Sequence, residues 1–153
     1  MGRIVQKFGG TSVADLDRIR AVAQRVKTEI DAGHQVAVVV SAMAGTTNQL
    51  VEWARNIVPI HDAREYDTIV ATGEQVPVGL LAIALQNIGV DARSWLGWQI
   101  PFQTDGVHGA ARVEHIDTRL IAERLEQGQV VVAAGFQGIS LEGRITTLGR
   151  GGS

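Results

Sequence analysis

Lys7 stands just ahead of a double glycine, Gly9-Gly10, which is followed by two hydroxyl residues, Thr11 and Ser12. Glycines between a strand and a helix let backbone N–H groups approach an anion closely, and the helix that follows adds the positive end of its dipole. The order is unusual for a phosphate loop, because the lysine precedes the glycines. The G-x-x-x-x-G-K-[ST] pattern is absent, as is a G-x-G-x-x-G turn, so neither a Walker A loop nor a dinucleotide fold is supported. A lysine at the end of a strand can instead reach over the glycine turn toward a phosphate held by the backbone. Three further small-residue loops share this character: SAMAGTTN at 41–48, AGFQG at 134–138 and TTLGRGGS at 146–153. One such loop is usually a tight turn. Four of them, flanked by Lys7 and Arg150, point to a crevice for something anionic.

Each residue also has an ordinary reading. Lys7 can be a solvated charge at a strand end, and Glu74 an acid favoured by a helix N-terminus. Ser41 and Thr47 are natural turn and cap residues. Arg150 as a lone RGG-like element for RNA has little to support it in an acidic chain. His34, His61, His108 and His115 lack metal-ligand spacing, so no metal site is expected and all four read as surface or structural. Trp53, Trp95 and Trp98 read as packing residues.

The elements that must carry these loops are legible in the apolar pattern. Residues 4–8 form a strand broken by Gly9-Gly10. Asp15 caps a helix bearing Leu16, Ile19, Val22, Ala23, Val26 and Ile30 at helical spacing. Residues 36–40 and 130–134 are continuous β-branched and small apolar runs, typical of strands buried on both faces of a parallel sheet. A second helix ends before Pro59, and residues 62–89 read as two helices broken around Thr72-Gly73. Residues 92–95 form a short strand, followed by an irregular segment through Gly109. Asp117 caps a helix with Leu120, Ile121 and Leu125, stopped at Gly128, and residues 136–148 form a loop or hairpin around Glu142-Gly143. Alternating strands and helices imply a largely parallel sheet with helices on both faces, a three-layer α/β/α sandwich. Ligands then belong beyond the carboxyl ends of the strands, where the glycine loops fall.

With 153 residues, 45% of them hydrophobic, 20% charged and 18 glycines, the chain suits one globular α/β domain. A formal charge of -2 argues against nucleic-acid binding through a broad basic surface. The absence of cysteine excludes disulfides and thiolate metal sites. MGRIVQKF runs into a patterned strand, so no secretory leader is expected, and Gln6 argues against N-myristoylation. Continuous apolar runs such as 36–40 are too short to cross a bilayer. A cytoplasmic protein without a membrane partner is expected.

Taken together and in order, KFGGTSV, VVVSAMAGTTN, ATGEQV, AGFQG and TTLGRGGS resemble the aspartate kinases of the amino-acid kinase family, across essentially the whole chain. The resemblance implies the carbamate kinase-like fold of that family. It also implies transfer of the ATP γ-phosphate, with Mg²⁺, to the side-chain carboxylate of L-aspartate. That reaction gives 4-phospho-L-aspartate on the way to lysine, threonine, methionine and diaminopimelate. Carried onto these positions, Lys7 contacts the transferred phosphate, with Gly9, Gly10, Thr11 and Ser12 in its turn. Ser41 and Thr47 line the aspartate pocket, Glu74 binds the amino group, Arg150 the α-carboxylate, and Phe136 and Ser153 lie nearby.

In that family GRGGS is followed by an aspartate, the nucleotide-binding half and regulatory ACT domains. Residues 1–153 therefore correspond to the amino-acid-substrate part of the kinase domain, a truncated fold expected to be inactive alone and to self-associate through exposed edges as a homo-oligomer. The alternatives are another family member, such as acetylglutamate, glutamate 5- or UMP kinase, and a non-catalytic module that binds a small anion or a partner chain.

Overall fold

The computed structural model describes residues 2–149 and 152. Its elements run β1 (Arg3–Phe8), a 3-10 turn (Gly10–Val13), α1 (Leu16–Asp31), β2 (Gln35–Val40), α2 (Thr46–Ile57), α3 (Ala63–Val70), α4 (Thr72–Asn87), β3 (Ala92–Trp95), β4 (Phe102–Thr104), β5 (Val113–Ile116), α5 (Arg119–Glu126), β6 (Val130–Ala134), β7 (Gln137–Ser140) and β8 (Ile145–Thr147). The main sheet has the order β1-β2-β6-β3 and every pairing is parallel.

The valine runs form the middle of that sheet because both of their faces are covered. Val36, Val38, Val40, Val130 and Val132 pack against Ile19, Val22 and Val26 of α1 and Val78, Leu81 and Leu85 of α4. On the opposite face Val131, Ala133 and Trp95 meet Leu125 and Ile121 of α5. This is the three-layer arrangement expected from the alternating pattern. The Asp15 carboxylate accepts from Arg18 N–H at 2.8 Å and starts α1. Gly33, at φ +89°, lies just past the end of α1, in a conformation that favours glycine.

Several expectations need refinement or correction. The two helices expected over residues 62–89 are present, and their break around Thr72-Gly73 is centred on the adjacent Ala71. The segment from β3 through Gly109 is irregular except for β4, which pairs with β5 beyond it; with β7 and β8 these strands form a second, mixed sheet of order β5-β4-β7-β8. Helix α5 starts at Arg119, with Thr118 at its cap position. Asp117 still serves it from one residue further out by accepting Arg119 N–H. Leu16 is exposed, unlike the other apolar residues of its helical stripe. Of the three tryptophans only Trp95 is buried; Trp53 and Trp98 stand half exposed. Apolar length is also greater than the short runs suggest, since Ala63–Asn87 is long and apolar enough to cross a membrane. Half of that stretch is buried inside the protein, Ala71 interrupts it, and it carries the buried acids Asp67 and Glu74.

A buried carboxylate ties the second sheet to α3. Asp67, fully buried, accepts from Gly109 N–H at 3.0 Å and from the Thr147 hydroxyl, and its Oδ2 lies 2.7 Å from His108 Nδ1. His108 is thus structural. Asp67→Ala would strand three polar partners around a buried space. It is expected to destabilise the fold by about 3–5 kcal/mol, readable as a lower urea midpoint.

Candidate functional site

The carboxyl ends of β1, β2 and β6 lie side by side, and their loops are stitched together by backbone hydrogen bonds. Ser41 N–H donates to Phe8 C=O at 3.1 Å, Gly135 N–H to Val40 C=O at 3.0 Å, and Ala44 N–H to Gly10 C=O at 3.2 Å. Gly10 has to be glycine for this, because a Cβ there would lie 2.7 Å from the Ala42 carbonyl oxygen. Gly9 is different. Its backbone is extended, at φ -75°, and a Cβ would meet nothing within 4 Å. Neither conformation nor internal packing demands glycine at that position. What its missing side chain leaves is bare backbone at the sheet edge, suited to close approach by a ligand.

Between these loops and the start of α4 lies a cleft of about 260 Å³, lined by Gly10, Ser41, Thr47, Asn48, Glu74 and Phe136 among others. Five of the residues singled out from the sequence therefore share one cavity: Gly10, Ser41, Thr47, Glu74 and Phe136. Lys7 sits outside its lining, exposed on edge strand β1, and its side chain makes no ion pair or hydrogen bond among the described residues. Gly9 and Thr11 are exposed beside it, and Ser12 lies in the 3-10 turn. Arg150 and Ser153 lie outside the described residues.

Glu74 occupies the first turn of α4, where a helix dipole favours a carboxylate. It is nevertheless 2% exposed, and burial pushes its carboxyl up to about 8, outweighing hydrogen bonds from its own backbone and from Gln137. Glu74 is therefore not a solvated helix-start acid. Burial therefore favours its protonated form near neutral pH. Phe136 adds a second unusual feature, since it is the one non-glycine residue among those described with positive φ, at 68°. Such a backbone costs on the order of 1–3 kcal/mol and needs support. Val51 and Val70 pack with its ring, Tyr66 and Leu148 flank that cluster, and Leu148 N–H donates to its carbonyl at 2.8 Å.

Two residues around the cleft were missed in the sequence, Asn48 and Gln137. Asn48 closes SAMAGTTN and reads as one more polar helix-start residue. Gln137 follows Phe136 directly, and only its burial reveals a role. Its side chain accepts from Gly97 N–H at 3.0 Å and donates to Ala71 C=O at 2.8 Å and to Glu74 Oε2 at 3.4 Å.

The profile of the family described as "Amino acid kinase family" matches residues 2–153. Over 153 residues the chain is 52% identical to aspartokinase 2 of Bacillus subtilis (strain 168), covering 100% of this chain and 38% of that protein. It is 51% identical to the aspartate kinase of Pseudomonas putida, covering 37% of that protein. Among solved structures, aspartate kinase from Synechocystis superposes with a TM-score of 0.81 at 45% identity, over 97% of this chain and 24% of that one. E. coli aspartokinase III in complex with aspartate and ADP gives 0.82 at 28% identity, over 97% and 44%. The chain thus spans well under half the length of the relatives it matches. With a full-length profile match, the parallel sheet and the loop-edge cleft all in agreement, the chain belongs to the amino acid kinase family.

Proposed function

We propose that this chain forms the amino-acid cleft and phosphate turn of an aspartate kinase, which transfers the ATP γ-phosphate to the side-chain carboxylate of L-aspartate. One observation carries the reading: Glu74 is a buried carboxylate in a cleft that none of its other lining residues supplies with charge. Such a group is costly unless an incoming cation compensates it. An α-ammonium is a cation of suitable size, and Arg150 downstream offers the bidentate partner for the accompanying α-carboxylate. The names of the relatives and the aspartate and ADP in the E. coli neighbour support the same substrates.

The chemistry asks little of the protein in the way of acid or base. A side-chain carboxylate ionises near 4 and is already a nucleophile at pH 7. Its oxygen forms the new bond to γ-phosphorus while the bond to the β,γ-bridging oxygen breaks and ADP departs. The difficulty is bringing two anions together. Lys7 and the backbone of residues 9–12 stand where they can offset that repulsion and stabilise charge on the transferring group. The described residues hold no group of three or more possible metal ligands and the cleft has a single carboxylate, so they form no protein cage for Mg²⁺; a nucleotide-bound Mg²⁺ would draw most of its oxygens from phosphate and water. No step is assigned to it.

A ligand panel tests the reading. L-aspartate is expected to raise the melting temperature of the chain, whereas N-acetyl-L-glutamate, L-glutamate and UMP at equal concentration leave it unchanged. Stabilisation by one of those three in place of L-aspartate would assign the cleft to a different member of the family.

A further inference from the structure

We propose that Gln137 is a positioning residue: its side-chain amide, pinned by two backbone groups, aims its remaining N–H at Glu74 and holds that carboxylate as the acceptor for a free ammonium. The proposal rests on the reading of the cleft as an amino-acid site.

The orientation of the amide is dictated by its partners. Gln137 is 3% exposed at the start of β7. Its Oε1 is taken by Gly97 N–H, and one Nε2 hydrogen by the carbonyl of Ala71, the residue that leads into α4. A flipped amide would set N–H against N–H at Gly97 and C=O against C=O at Ala71. Only the second Nε2 hydrogen remains, and it faces Glu74 Oε2. The fit is dedicated, because a Cβ on Gly97 would lie 2.6 Å from the Gln137 carbonyl oxygen and 2.9 Å from its Cγ. A partner that can only donate favours the ionised carboxyl and opposes the effect of burial.

Among the described residues no other charged side chain lines the cleft. On α3, Asp67 is committed to His108, Gly109 and Thr147. The loop after β2 and the first turn of α2 contribute only neutral groups to the cleft, and Lys7 of β1 stands outside the lining. Arg150 follows beyond the described residues. Selection follows from this arrangement, since an N-acylated amino acid brings no cation to replace the Glu74 proton.

The test uses the full 153-residue chain, with Gln137→Met and Gln137→Glu variants checked for native dispersion by NMR. Gln137→Met removes all three hydrogen bonds, whereas Gln137→Glu keeps the acceptor for Gly97 N–H and so provides a second variant should the first fail to fold. The titration midpoint of the Glu74 carboxyl, followed by carbon NMR, is expected to rise by about one pH unit in Gln137→Met and further in Gln137→Glu. L-aspartate affinity of Gln137→Met should fall about tenfold at pH 7 and recover to within about threefold at pH 9, where the carboxyl ionises in both proteins. An unchanged midpoint in a folded variant, or an affinity loss equal at both pH values, overturns the proposal. A midpoint that moves while wild-type chain binds no L-aspartate would keep the positioning role and sink the amino-acid reading.

Discussion

Lys7→Met is expected to slow phosphoryl transfer to L-aspartate by on the order of 10²- to 10³-fold in a form of the protein that carries nucleotide-binding residues, with KM for L-aspartate within about threefold. The asymmetry follows from where the side chain stands. Lys7 is exposed at the end of β1, outside the lining of the cleft, and its side chain has no partner among the described residues. On the proposed reading its ammonium serves the transferring phosphoryl group, and it lines no part of the cleft. Methionine keeps the length and the apolar stem, so strand β1 should be undisturbed. Steady-state kinetics decide the point. A KM effect as large as the kcat effect would place Lys7 in substrate binding instead.

Glu74→Gln is expected to weaken L-aspartate binding by about 10²-fold while making the protein more stable at pH 8. The first effect is loss of a charge-assisted contact in a buried setting, where removing one partner costs roughly 2–5 kcal/mol. The second follows from proton linkage. In the unfolded chain this carboxyl ionises near its ordinary 4.5, and in the folded protein at about 8. Its contribution to stability is therefore fully present below about pH 4.5 and is lost as the pH rises toward 8. A displacement of that size corresponds to on the order of 4 kcal/mol at the upper end of the window. Glutamine has the same shape and no proton to lose, so urea midpoints of wild type and variant should diverge steadily between pH 5 and pH 8. Parallel midpoints across that range would mean that Glu74 is not a desolvated carboxyl. Binding and stability moving in opposite directions is the signature of a group kept for function at the expense of the fold.

The layers of the fold were legible because burial on both faces writes itself into the sequence. Residues 36–40 and 130–134 read as central strands, and Asp15 marked the start of α1 by ordinary capping chemistry. The second sheet left no such trace. β4 is three residues long, and all four residues of β5 are exposed, so neither has a periodic apolar face. β4 also finds its parallel partner, β7, far along the chain. That pairing depends on tertiary context, which a local pattern does not contain. The site divides in the same way. Gly10, Ser41, Thr47, Glu74 and Phe136 lie in or beside glycine-rich loops and could be named from the sequence. Gln137 sat inside one of those motifs unnoticed, because its partners are Gly97 and Ala71, brought to it by the loop after β3 and by the start of α4. The sequence likewise offered two readings of Glu74, and its burial argues against the solvated helix-start acid.

The most direct measurement is a calorimetric titration of the 153-residue chain with L-aspartate at pH 7 in two buffers of different ionisation enthalpy. A Glu74 that titrates at about 8 is mostly protonated at pH 7, so binding an ammonium should release close to one proton. The expected result is saturable binding of L-aspartate with that proton release, and no binding of N-acetyl-L-aspartate. Binding of both ligands alike, binding without proton release, or no binding of L-aspartate at all would contradict the assignment of the cleft.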